Sequence, residues 1–167
     1  MKENYLLNLI KKHKNNGLLI DSNLLLLLFI GSFSVDWIQK YKRTKQYVIE
    51  DYQVMVSFIK HFNKILTTPN ILTEVSNLSN QLPEKVKNEY FPVFAKKVTV
   101  LQESYHQSIA VCQSSNFRRF GLTDTLIIDI GNTGCLVLTD DFRLAGYLES
   151  MSISVINFNH LRGWLIA

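Results

Sequence analysis

Short apolar segments that alternate with helical patterns constrain the fold of this chain most strongly. Each segment spans four to six residues, is mostly apolar and is bounded by Gly, Pro, Asp or Asn, which is typical of a strand buried on both faces. Because a helix-length stretch separates consecutive segments, we predict an α/β fold with a parallel sheet covered by helices on both faces. The predicted strands are Gly17–Asp21, Ile65–Thr68, Cys135–Thr139 and Ile153–Phe158.

Helical patterns fill most of the remaining chain. The first pattern is amphipathic and ends before Gly17, a leucine-rich helix follows Asn23, and the clearest pattern begins at Asp51. The other predicted elements are a helix over 71–78, a helix from Pro83 that Pro92 bends or splits, a helix over 103–113, a loop at 117–121, a helix that Thr123 caps and that ends at 131–134, and a helix through 142–148.

The composition indicates a single packed domain. A chain of 167 residues with 47% hydrophobic and 19% charged residues has the size of one domain and is too apolar to be disordered. We therefore predict one domain over 1–167, with an N-terminal helix over 1–16. Cys112 and Cys135 lack C-x-x-C spacing, and the four histidines are scattered, so no zinc site is predicted.

An apolar run at Leu24–Ile30 is too short for a membrane span, which needs about 20 apolar residues. Asp21 interrupts the longer stretch that could be drawn around it, and no small-residue cleavage site follows, so a signal peptide also fits poorly. We expect a cytoplasmic protein with no membrane partner.

The positive charge lies near one end of the chain. Lys and Arg number 18 against 14 Asp and Glu, and the whole excess falls within residues 1–50. We predict that 31–50 is a basic surface excursion that binds a polyanion. Tyr41 and Tyr47 within it would either stack on bases or pack in the core. The predicted nucleic-acid contacts are Lys40, Lys42, Arg43, Lys45, Arg118 and Arg119.

Acidic residues follow the predicted strands or begin the helices after them. The carboxyl ends of parallel strands meet at one edge of a sheet, so these side chains would converge there. Carboxylates so close repel unless a cation joins them, and Mg²⁺ and Mn²⁺ prefer such oxygen ligands. Taken singly, each acid also has a structural explanation at a turn, on a solvated helix face or at a helix N-terminus. The acids are Asp21, Glu74, Asp124 and the pair Asp140 and Asp141.

Together with their neighbours, these acids resemble the motifs of the PIN-domain nucleases, in particular the small bacterial toxin-type members. The four motifs occur in the family's order, and the resemblance covers residues 18–158. Two features depart from it, since Asn70 stands where His is frequent and 40–45 resembles an insertion. The matching motifs are Leu-Ile-Asp-Ser-Asn-Leu-Leu at 19–25, Thr-Pro-Asn-Ile-Leu-Thr-Glu-Val at 68–75, Gly-Leu-Thr-Asp at 121–124 and Val-Leu-Thr-Asp-Asp at 137–141.

The resemblance implies a three-layer α/β/α sandwich around a central twisted parallel sheet. It also implies in-line hydrolysis of a phosphodiester, usually in RNA, by water that Mg²⁺ or Mn²⁺ activates. The residues that it assigns to catalysis and metal binding are Asp21, Glu74, Asp124 and Asp141.

Three further residues are expected to support these ligands. In an extended strand end, Thr139 and Asp141 share a side, whereas Asp140 points the other way. Asn23 shares a side with Asp21 by the same rule. We therefore expect Asn23, Thr139 and Asp140 to lie around the ligands without binding the metal directly.

The expected function is an endoribonuclease that cuts single-stranded RNA. Small size and the toxin-type resemblance favour a toxin or defence effector, restrained by an antitoxin or another regulatory protein, and small relatives often form homodimers. Two alternatives stay open. One is a non-catalytic module that binds RNA or protein, and the other is a single-strand nuclease directed at DNA.

Overall fold

The computed structural model describes residues 2–165 and has an α/β fold around one parallel sheet. Every pairing between neighbouring strands is parallel. Helices flank the sheet in a three-layer α/β/α arrangement, which confirms the predicted fold class. The five strands are β1 (Leu18–Ile20), β2 (Ile65–Thr67), β3 (Gln102–Glu103), β4 (Leu136–Thr139) and β5 (Val155–Asn157), and their order across the sheet is β3-β2-β1-β4-β5.

Local sequence signals explain where several helices begin or end. Gly17, with a φ of +98°, turns the chain from the first helix into β1 at no steric cost. Thr68 Oγ1 accepts a hydrogen bond from Ile71 N at 3.1 Å, and Pro69 begins the helix after β2. The helices of the described residues are α1 (Lys2–His13), α2 (Ser22–Phe33), α3 (Asp36–Lys40), α4 (Ile49–Ile59), α5 (Pro69–Ser79), α6 (Glu84–Val98), α7 (Ser108–Cys112), α8 (Phe117–Gly131), α9 (Phe142–Ser150) and α10 (Phe158–Leu165).

The middle of the sheet and the leucine-rich helix α2 form the centre of the core. Leu18, Leu19 and Ile20 of β1 are fully buried. Helix α2 packs against α4, α5 and α6, so the run Leu24–Leu27 is fully buried as well. Within residues 2–165, no helix combines the length and the apolarity needed to cross a bilayer.

The sheet has a topological switch between its central strands. The chain adds β2 and β3 on one side of β1, and it adds β4 and β5 on the other side. In open parallel sheets, such a reversal leaves a crevice beyond the carboxyl ends of the two central strands. Asp21 directly follows β1 and Asp140 directly follows β4, so both residues lie at this crevice.

One helix prediction after β2 is wrong, and one of the two alternatives predicted at Pro92 is excluded. In place of a helix over 103–113, Gln102–Glu103 pairs with β2 as strand β3, and only Ser108–Cys112 is helical. Both residues of β3 are exposed, so this edge strand has no apolar signature in the sequence. Of the bend or split predicted at Pro92, the split does not occur, since α6 continues through Pro92.

The predicted loop at 117–121 is also wrong. Residues 117–120 form the first helical turn of α8, and the break comes at Gly121, where φ is +75° and ψ is −170°. Glycine adopts this backbone conformation without the strain that a Cβ would cause. Thr123, predicted to cap the following helix, instead donates its hydroxyl to the carboxylate of Glu74.

Candidate active site

Four acidic side chains from separate parts of the chain converge at the crevice. Asp21 caps the start of α2, Asp141 caps the start of α9, and α5 and α8 carry Glu74 and Asp124. Burial, together with the negative charges of Glu74 and Asp141, raises the pKa of Asp124 to about 6. Hydrogen bonds link the segments that carry these acids, because Ser22 and Thr123 donate to Glu74 and Thr139 donates to Asp21. The four residues therefore lie at the same edge of the sheet. We call these four residues the acidic cluster.

Asp21 is the most buried member of the acidic cluster, with 8% of its surface exposed. Its Oδ1 accepts a hydrogen bond from Ser22 N at 2.6 Å, and its Oδ2 accepts one from Thr139 Oγ1 at 2.6 Å. Burial raises the pKa of Asp21 to about 7; these two hydrogen bonds oppose the rise, and repulsion from Asp124 and Asp140 adds to it. The protein therefore holds Asp21 where its negative charge is poorly stabilised without a cation.

Thr139 connects the two central strands at the crevice. Its hydroxyl donates to Asp21 after β1 and accepts from Asp141 N at 3.1 Å after β4. The side chain is fully buried, so this geometry is fixed by packing. Thr139 therefore orients Asp21 directly, and it positions Asp141 through the backbone of that residue.

Glu74 is held by two hydroxyl groups that the sequence motifs did not single out for this role. Ser22 Oγ donates to Oε2 at 2.6 Å, and Thr123 Oγ1 donates to Oε1. Ser22 is the neighbour of Asp21, and Thr123 is the neighbour of Asp124. The exposed carboxylate of Glu74 thus bridges the two segments that carry the other acids. A hydroxyl residue beside each acid is the only sequence signal for this arrangement.

Asp140 has a different environment from Asp141. Its Oδ2 accepts a hydrogen bond from Tyr47 OH, and its Oδ1 is buried without a hydrogen-bond partner among the described residues. Its charge also contributes to the raised pKa of Asp21. Asp140 thus lies beside the acidic cluster and adds a buried oxygen that is unpaired in the described part of the chain.

The predicted position of Asn23 is wrong. The rule for extended chain does not apply beyond Asp21, because α2 already begins at Ser22. Asn23 is exposed on this helix, and the side chain that reaches another member of the acidic cluster is Ser22.

Arg143, which the sequence analysis did not single out, acts on Asp124 and forms a cluster with Arg119 and two aromatic rings. Its Nη2 donates to Arg119 O at 2.7 Å, and its guanidinium lies 5.1 Å from the ring centre of Phe120. The guanidinium of Arg119 lies 5.0 Å from the same ring and 5.2 Å from that of Tyr147. The charge of Arg143 partly opposes the rise in the pKa of Asp124. Arg118, two residues before Phe120, is exposed.

The basic segment, residues 40–45, is fixed to the protein by buried side chains at every third position. Thr44 Oγ1 donates to Ile38 O at 2.7 Å, and Tyr41 OH donates to Leu78 O. Tyr47, just beyond the segment, is 2% exposed and bonds to Asp140. Both tyrosines therefore pack inside the protein and do not stack on bases. The cations, Lys40, Lys42, Arg43 and Lys45, are all exposed.

The donor chemistry of the acidic cluster fits Mg²⁺ or Mn²⁺. All donors are carboxylate oxygens, the repulsion among them is what a cation would relieve, and Asp140 adds an unpaired buried oxygen. Within residues 2–165, no three Asp, Glu, His or Cys side chains lie close enough together to hold one ion as they stand. Binding of one ion by three of the acids would therefore require their side chains to move closer together.

Replacing Asp141 is expected to have a different effect on stability depending on the substitute. Its Oδ1 accepts hydrogen bonds from Arg143 N at 2.7 Å and Leu144 N at 3.1 Å, so Asp141→Ala removes the cap of α9 and costs about 1 kcal/mol. Asn caps helices as well as Asp does, so Asp141→Asn should unfold about 2–4 °C higher than the alanine variant. Thermal unfolding followed by circular dichroism measures this difference, and equal midpoints would contradict the capping role.

Comparison of the chain with family models, with curated proteins and with solved structures finds no match. The resemblance to PIN-domain nucleases therefore depends on the sequence motifs alone.

Proposed function

We propose that this protein is a metal-dependent phosphodiester hydrolase, and specifically an endoribonuclease that cuts single-stranded RNA. The observation that carries the proposal is the convergence of Asp21, Glu74, Asp124 and Asp141 at the switch point of a parallel sheet. Ligands of such sheets bind at this position, and carboxyl groups with raised pKa values are typical of functional sites.

In this proposal, the acidic cluster would hold Mg²⁺ or Mn²⁺. When bound, such an ion would supply activated water and positive charge for hydrolysis of the phosphodiester. The chain's own residues have positioning roles. Thr139 orients Asp21, and Ser22 and Thr123 orient Glu74. Arg143 provides positive charge beside Asp124, where it would attract the phosphate of a bound strand.

Nucleic acid is the favoured substrate class because exposed cations are held near the acidic cluster. Tyr47, just beyond the basic segment, bonds to Asp140. Asp140 in turn lies close enough to Asp21 to repel its charge, so this end of the basic segment lies near the acidic cluster. Arg119 and Arg143 lie on the side of Asp124. A polyanionic strand would be attracted by these groups, whereas the acids alone would repel it.

Removing positive charge from the basic segment is expected to lower the affinity for RNA and to make that affinity less dependent on the salt concentration. The triple variant Lys40→Gln, Lys42→Gln and Lys45→Gln should lower the slope of log affinity against log salt by about 0.7 for each phosphate that it no longer neutralises. Fluorescence anisotropy of a labelled single-stranded RNA in EDTA over a salt series measures it.

The matched control for this experiment removes three lysine charges near the amino ends of the strands, away from the acidic cluster at their carboxyl ends. Lys11, Lys12 and Lys14 are exposed and precede β1, so they lie near the amino ends of the strands. Their triple glutamine variant should keep the salt slope of the wild-type protein. An equal decrease in both triple variants would indicate an effect of net charge and would contradict a role for the basic segment.

The direct test is cleavage of a labelled single-stranded RNA and of a DNA of the same sequence, with Mn²⁺, with Mg²⁺ and with EDTA. Asp141→Asn is the paired variant because it removes a ligand and keeps the helix cap. Cleavage of RNA that needs the metal and is lost in the variant supports the proposal. Cleavage of DNA alone would indicate the DNA-directed nuclease. If neither strand is cut and calorimetry detects no Mn²⁺ binding, the non-catalytic module is favoured.

The toxin role is a further part of the proposal. Expression of the wild-type protein should arrest growth, while expression of Asp141→Asn should not, because the arrest depends on RNA cleavage. Co-purification would identify an antitoxin or other regulatory partner, and light scattering would detect a homodimer. Unimpaired growth on expression of the active protein alone would argue against a free toxin.

A further inference from the structure

A second recess opens beside Glu74 and has no role in the proposed chemistry. This recess, which we call the side pocket, has a volume of about 300 Å³ and is bordered by Glu74 and Thr123 on the side of the acidic cluster. That volume lies at the lower end of the range for small-molecule pockets. The side pocket therefore suits a single ring system directly next to a group held by the acidic cluster.

The position of the side pocket follows from the pairing of strand β3. Thr67 of β2 pairs with Glu103, and Ser104 N donates to Thr67 O at 2.9 Å, which extends the pairing by one residue. Tyr105 therefore emerges at the carboxyl edge of the sheet, opposite the first turn of α5. Its side chain is 76% exposed, which makes it the most exposed aromatic residue among the described residues.

The walls of the side pocket combine this ring with polar groups. Asn70 and Thr73 contribute an amide and a hydroxyl from α5, and His106 and Ser108 contribute an imidazole and a hydroxyl from the opposite side. These groups both donate and accept hydrogen bonds, as the edges of nucleobases do. Glu74, the only acidic residue that the described part of the chain contributes to the walls, disfavours a phosphate in this place. An aromatic face with such groups is typical of sites that bind unpaired bases.

We propose that the side pocket binds one nucleobase of a single-stranded substrate, stacked on Tyr105, next to the phosphate at the acidic cluster. This inference rests on the proposed function, because it assumes that a nucleic-acid strand enters the crevice. It assigns part of the base recognition to Tyr105, His106 and Ser108, which lie outside all four of the motifs. The polar walls would then contribute to the choice of base at that one position.

The test measures binding in EDTA, so that it does not depend on cleavage. The probes are a short fluorescent single-stranded RNA and a strand of the same length in which every nucleotide lacks its base. Tyr105→Ala should bind the RNA about 5- to 150-fold more weakly than the wild-type protein does, and the abasic strand with unchanged affinity. Tyr105→Phe should keep the affinity for RNA because it keeps the ring.

Tyr5→Ala is the control variant, because Tyr5 is 55% exposed on α1 and does not line the side pocket. It should bind both probes as the wild-type protein does. Wild-type affinity for RNA in Tyr105→Ala would overturn the proposal, as would an equal loss for both probes. Absence of RNA binding by the wild-type protein would overturn it too.

These outcomes separate the side pocket from the nuclease. If the wild-type protein cuts RNA with Mn²⁺ while Tyr105→Ala binds RNA normally, the side pocket has no role in base binding and the proposed function stands. If RNA binding depends on Tyr105 but no metal supports cleavage, the catalytic proposal fails and the base-binding site stands.

Discussion

Asp21→Asn is expected to lower the rate of metal-dependent RNA cleavage by about a thousandfold or more. Loss of a ligand carboxylate removes several kcal/mol of transition-state stabilisation, since the substituted amide binds a divalent cation weakly. The variant should fold normally. Its amide oxygen can still accept from Ser22 N, and the hydroxyl of Thr139 can turn to accept from the amide nitrogen. Initial rates on a labelled single-stranded RNA in Mn²⁺ measure the effect.

A second acid provides the control for this experiment. Asp36 is exposed on α3 and contributes no charge effect to Asp21 or Asp124, so Asp36→Asn makes the same chemical change away from the acidic cluster. This variant should cleave RNA at the wild-type rate. Full activity of Asp21→Asn, with its fold verified by circular dichroism, would contradict the proposed catalytic role.

The metal-free protein is expected to lose stability as the pH rises from 5 to 8. Burial raises the pKa of Asp21 to about 7 in the folded protein, whereas its ordinary value is 3.8. Between these values the folded state holds a proton that the unfolded state lacks, so the free energy of unfolding decreases with rising pH and levels off above pH 7. Asp21 alone accounts for a decrease of about 2–3 kcal/mol over this interval.

Comparison with Asp21→Asn isolates this contribution. Other groups also titrate in the interval; burial lowers the pKa of His13, for example, so its effect on stability has the opposite sign. His13 is unchanged in the variant, so its effect cancels in the difference between the two proteins. In EDTA, the thermal midpoint of Asp21→Asn relative to the wild type should increase by about 5–10 °C between pH 5 and pH 8. A constant difference would show that Asp21 titrates normally.

The fold class was predictable because its signal is local. Strands buried on both faces are rich in apolar residues, and the segments that contain β1, β2, β4 and β5 each have at least two consecutive apolar residues. Strand β3 was not predicted because it lacks this apolar signal. Its two residues are exposed at the edge of the sheet, where pairing with β2 depends on backbone hydrogen bonds and not on apolar side chains.

The acids of the site were predictable as a set, because topology alone brings the carboxyl ends of parallel strands to one edge. Their partners were not. Ser22 and Thr123 are separated from Glu74 by about fifty residues, and nothing in their local sequence specifies which carboxylate they bond. The contact between Tyr47 and Asp140 spans 93 residues, so no local pattern links the basic segment to the site.

Short segments of the chain are therefore enough to specify the alternation of strands and helices, the burial of the leucine-rich helix and the acids that follow the strands. These properties depend on hydrophobic periodicity and on residue types within each segment. The folded protein alone specifies which hydroxyl holds which carboxylate, how far burial raises the pKa of Asp21, and that Tyr105 faces a pocket beside Glu74. Those properties depend on distances between segments that are remote in the chain, and packing sets these distances.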